Sequence, residues 1–129
     1  MPFIYSSLHT SYKMLRERPE IVQRMVAAFA EIVYYVEKNP DKAKASVGKA
    51  MRTKDPEALQ SAYDTYARDI LDRTMVVPAK AVAETVEMAR ESGSPVRKKP
   101  EEIYDNSFVN NLEKSGFLKE IWGSENYRR

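Results

Sequence analysis

Residues 19–39, PEIVQRMVAAFAEIVYYVEKN, decide how the rest of the chain is read. Ile21, Val22, Met25, Val26, Phe29, Ile32, Val33 and Val36 recur in steps of three and four, which predicts one wide apolar stripe along an α-helix. Pro19 suits the first helical position, where its missing N–H costs nothing, and Glu20 lies near the positive end of the helix dipole. Asn39-Pro40 ends the helix, because a residue before proline is pushed out of α geometry. Such a helix is roughly 30 Å long, about the width of a small domain. Ala27, Ala28 and Ala30 allow neighbours to approach it closely.

Outward from this segment the chain reads as one mainly α domain over residues 1–129, with five or six helices. Toward the N-terminus, Phe3, Tyr5 and Ser7 alternate with Ile4 and Ser6, which predicts one short strand. Ser11 is expected to cap a brief helix, Tyr12 to Arg16. Toward the C-terminus, Asn39 and Asp55 are read as caps, each with proline next. The first starts a helix to about Met51, the second one to about Asp72. Pro78 opens another, stopped at Gly93. Pro100, Glu101 and Glu102 form a helical turn. Asp105 or Asn106 caps a last helix with Phe108, Val109 and Leu112 inward, and Gly116 takes a left-handed conformation. Phe117, Leu118, Ile121 and Trp122 form an apolar cluster near the end.

Composition narrows the function. The chain is 43% hydrophobic and 31% charged, enough for both a core and a solvated surface. A net charge of +2 does not by itself call for nucleic acid. With no cysteine, disulfides and thiolate metal sites are excluded. The N-terminal residues do not read as a secretory signal, and no apolar run is long enough to span a membrane.

The candidate chemistry is sparse. His9 is the only histidine and has no set of co-ligands at metal spacing, so a polar loop histidine is the plainer reading. Glu84, Glu87 and Glu91 share a helical face and read as solvated. Tyr34, Tyr35, Tyr63 and Tyr66 can form an aromatic box, although packing with hydroxyls at the rim is simpler. Arg97, Lys98 and Lys99 form a short basic loop. The chain carries no phosphate-binding glycine loop and no nucleophile motif, so no catalytic residue, metal site or cofactor is assigned and the chain is read as a non-enzyme.

Two segments carry a resemblance. One is Ser6-Ser7 and Thr10-Ser11 followed by LRERPEIVQRMVAAFAE, residues 15–31. The other is KKPEEIYDNSFVNNLEKSGFL, residues 98–118, and residues 39–43, NPDKA, lie between them. In this order they resemble the C-terminal part of the substrate-binding proteins of nitrate/sulfonate/taurine-type ABC importers, a family with relatives that bind thiamine-precursor pyrimidines. The resemblance implies a fragment of a two-lobe α/β periplasmic-binding-protein fold without its N-terminal lobe or signal peptide. It implies a small-molecule solute, an ABC permease as partner, membrane contact only through that permease, and a periplasmic or extracytoplasmic setting. By the same resemblance Tyr5, Ser6, Ser7 and Thr10 lie near the hinge and are the candidate binding residues. Apolar stripes shaped for a sheet need another cover here, so the fragment is expected to form a homo-oligomer. The alternatives are a stand-alone helical module that completes a separately encoded half, and a nucleic-acid-associated protein using Arg97–Lys99 and Arg128-Arg129, a role not expected of the first reading.

Overall fold

The computed structural model describes residue 4 and residues 6–128, and among them the chain is mainly helical, with seven α-helices. These are α1 (Tyr12–Glu17), α2 (Pro19–Lys38), α3 (Pro40–Met51), α4 (Pro56–Tyr63), α5 (Ala79–Glu91), α6 (Ser107–Lys114) and α7 (Phe117–Trp122). A π-helical segment, Asp64–Ile70, prolongs α4, and a 3-10 turn, Pro100–Glu102, precedes α6. The helix additional to the expected five or six is α7, formed by the C-terminal apolar cluster.

The expected strand is corrected as far as it is described. Phe3 and Tyr5 lie outside the described residues, and Ile4, Ser6 and Ser7 have no strand structure. A strand needs a second one to share its backbone hydrogen bonds, and the described chain offers none.

Helix starts follow local chemistry, with two exceptions. Ser11 accepts the Met14 amide at 3.1 Å, and Asp55 accepts those of Glu57 and Ala58. Asn39 does not cap α3 through its side chain; it donates to the Tyr35 carbonyl and closes the end of α2 instead. Asn106 is also drawn elsewhere. Its amide receives the Val77 N–H and donates to the Val77 carbonyl, each at 2.9 Å, which ties the chain before α5 to the start of α6. The Ser107 amide is taken by Asp105.

The core lies where α2, α6 and α7 meet. Val26, Ala30 and Val33 of α2 are buried with Val109 and Leu112 of α6 and with Leu118 and Trp122 of α7. Gly116, at φ +81°, turns the chain sharply between α6 and α7. Helix α5 is set apart. It buries Ala81, Val82 and Val86 and packs against the 3-10 turn, while Arg90 donates to the Val96 and Lys98 carbonyls.

Helices α3 and α4 close on each other at Gly48. A methyl group there would sit 2.9 Å from the Thr53 carbonyl oxygen and 3.2 Å from Leu59 Cδ1. Gly48→Ala adds about 1 kcal/mol in an unconstrained helix. Here it is expected to lower stability by about 1–3 kcal/mol, because the Thr53 turn must shift to admit it. Thermal melting checks the sign, and a stabilised variant would mean that the α3–α4 contact yields freely.

Candidate functional site

Two surfaces stand out, and neither is the N-terminal segment. Ser6, Ser7 and Thr10 are exposed on irregular chain ahead of α1. Ser7 Oγ lies 3.0 Å from His9 Nε2, and these residues line neither of the two depressions described below. Tyr5 and Arg129 lie outside the described residues. The candidate tyrosines do not converge on one box. Tyr63 donates to the Val36 carbonyl at 2.9 Å, Tyr34 meets Trp122 edge-on at 5.0 Å, and Tyr35 and Tyr66 are about half exposed. On α5, Glu84 faces Lys80 and Glu87 faces Arg90. In the basic loop, the Lys98 ammonium stands 4.6 Å from the Tyr12 ring centre. Among the described residues no group of three or more His, Cys, Asp or Glu side chains is arranged to hold a metal ion, and no helix is long and apolar enough to cross a membrane.

The first surface is a charged, open depression of about 870 Å³ between the end of α2, α3 and the π-helical segment. Its inner wall is an ion pair. Arg73 and Glu37 are about nine-tenths buried, with Arg73 Nη2 2.7 Å from Glu37 Oε2 and Nε 3.1 Å from Oε1. Arg73 Nη1 donates to the Asn126 carbonyl, and the guanidinium stacks 4.0 Å from the Trp122 ring centre. The hydrogen bonds to Glu37 push the Arg73 pKa above its ordinary value, against the opposing effect of burial. Every contact of this guanidinium runs to the protein itself or to its aromatic neighbour. The cluster fastens the segment after the π-helix and the C-terminal residues to α2.

The pairing was not legible in the sequence. Arg73 stands between Asp72 and Thr74 in a linker, and Glu37 is 36 positions away. The π-helix contributes to it, because the Leu71 amide reaches back to the Tyr66 carbonyl, five residues behind.

The second surface is on α2. Ile21, Met25, Ala28, Ile32 and Tyr35 fall within about 80° of arc on this helix, away from the Val26–Ala30–Val33 face that meets α6 and α7. Met25, Ile32 and Tyr35 are each about half exposed. Ala28, Ile32 and Tyr35 line a shallow, mainly apolar groove with Ile121 of α7. The only polar arc of α2 left to water is narrow and carries Glu20, Arg24, Glu31 and Lys38. Arg18 bonds Glu20 at 2.8 Å and holds its carboxyl below the usual range. A helix apolar around most of its circumference is one built to be covered on more than one side.

The whole molecule carries the same sign. A folded chain of 14.8 kDa is expected to expose about 7,000 Å². This one exposes 9538 Å². No family model matches the chain, and neither does any curated protein or solved structure in the same comparisons.

Proposed function

We propose that this chain is the helical C-terminal portion of a solute-binding protein of an ABC-type importer, which captures a small molecule by closure of two lobes and hands it to a permease. In this reading the helices flank a sheet contributed by other polypeptide, and the permease and solute are partners of the assembled protein. The observation that carries the reading is the exposed apolar surface: α2 is apolar on two faces, and on one of them Met25, Ile32 and Tyr35 stay about half exposed. Helices that cover a parallel sheet have this character, because one face meets the sheet and another meets neighbouring helices. Binding by closure involves no bond chemistry and needs no nucleophile or metal in this portion. An open surface cannot bury most of a small ligand, so solute binding belongs to the assembled lobes.

The same exposed face also supports a second reading, a helical module that completes a half encoded separately. One experiment addresses both. The chain is produced fused to, and separately co-expressed with, the polypeptide encoded immediately upstream of it. Each product is titrated calorimetrically with taurine, nitrate and an aminopyrimidine. The proposal expects one of these solutes to bind the fused protein and none to bind the chain alone. Binding by the co-expressed pair and not by the fusion favours the second reading, and no binding by either product overturns the importer assignment.

A further inference from the structure

We infer that, in this chain by itself, the exposed face of α2 is covered by the same face of a second copy, the two α2 helices running antiparallel about a two-fold axis. The pairing does not rest on the solute-binding reading, and it competes with any sheet that would cover that face.

Along this face Met25, Ala28, Ile32 and Tyr35 are exposed and Ile21 is partly buried. Positions 21, 25, 28, 32 and 35 alternate in steps of four and three, the seam of a two-helix contact. Ala28 in the middle lets the helices approach, and Ile121 of α7 widens the apolar seam on one side.

Charge selects the direction and the register. Arg24 and Glu31 flank the seam on one edge and both are exposed; the carboxylate one turn from Arg24, Glu20, is already bonded by Arg18, and Glu31 has no ion pair among the described residues. Arg24 and Glu31 are seven positions apart, roughly 10 Å along the axis, too far to pair within one helix. An antiparallel arrangement that sets Ile21 against Ile32 of the second copy, and Met25 against its Ala28, brings Arg24 to Glu31 of the second copy. The two-fold axis makes that contact twice. Sliding the helices by one heptad instead sets Arg24 near Lys38 of the second copy and Glu31 near its own equivalent, which repel. A parallel pair sets the same two charges beside Phe29 and Val36 of the second copy, with no counter-ion. One arrangement therefore satisfies both the apolar seam and both charges.

Sedimentation equilibrium of the full chain across the micromolar range tests this without any ligand, so its result is independent of the solute experiment. A dimer is expected. Ile32→Glu should give a monomer with unchanged far-UV circular dichroism, because Ile32 is half exposed within one copy. Arg24→Glu should weaken the dimer about tenfold by replacing two attractions with two repulsions. Combining Arg24→Glu with Glu31→Arg should restore the affinity to within about threefold of the original. A monomeric wild type overturns the inference. So does a dimer that survives Ile32→Glu, or one in which the paired reversal fails to rescue the single one.

Discussion

Arg73→Ala should cost about 3–5 kcal/mol of folding stability, because it leaves the Glu37 carboxylate buried without its cation. The size follows from geometry. Both side chains are about nine-tenths buried, the contact is two-pronged, and the guanidinium also lies on the Trp122 ring. Little solvent screening is available to soften the loss. Arg73→Lys should recover only part of it, since an ammonium cannot span both carboxylate oxygens and stack as a plane. A paired change of Arg73→Met and Glu37→Leu should cost less than Arg73→Ala alone, because no charge is then stranded. Urea unfolding followed by circular dichroism measures all three, and the fluorescence of Trp122, the single tryptophan, reports the local packing. An Arg73→Ala variant within about 1 kcal/mol of wild type would show that water reaches Glu37 freely. The pH sense is also defined. The Arg73 pKa is raised by its partner, so its contribution is fully present below the ordinary arginine value and is lost only as pH climbs through the raised one.

Leu118→Ala is the second large expected effect, about 3–4 kcal/mol. Leu118 is 1% exposed and is the largest fully buried side chain described. It belongs to the cluster in which α7 closes against α2 and α6, so deleting its branched end opens a cavity at the meeting point of all three. Domains have only about 5–15 kcal/mol in total, and this one exposes more surface than its mass predicts. The variant should therefore lose a large share of its stability, with an unchanged urea m-value if the fold persists. Leu118→Met, which keeps the volume, should lose less than about 1.5 kcal/mol. Equal losses for alanine and methionine would mean that volume is not what this position supplies.

Both effects arise in contacts that link distant parts of the chain, and these were the least legible in the sequence. Periodicity at α2 predicted a single wide stripe. In the fold that stripe is divided, with Val26 and Val33 covered by α6 and α7 while Met25 and Ile32 remain at the surface. Asn39 and Asn106 both read as caps. Each uses its side chain elsewhere, because an amide can serve whichever backbone group the tertiary structure brings near. The π-helical segment and the Arg73–Glu37 pair left no mark on spacing or composition. The hinge candidates Ser6, Ser7 and Thr10 rest on resemblance alone, and among the described residues the hydrogen bond made by one of these side chains to another candidate is that between Ser7 and His9.

The amino-acid order by itself determined the mainly helical class, the starts at Ser11, Pro19, Asp55 and the Pro100 turn, and the left-handed turn at Gly116. Each depends on a residue acting on backbone within a few positions of itself, through a missing N–H, a capping oxygen or an absent Cβ. Tertiary structure alone decided which side of α2 is core, where Arg73 finds its carboxylate, and that Phe117–Trp122 coils into a helix against the core. Those outcomes depend on which surfaces meet across tens of residues. An apolar side chain gains the same free energy from burial whatever covers it, so hydrophobicity along the chain names the surfaces to be covered and not the partner that covers them.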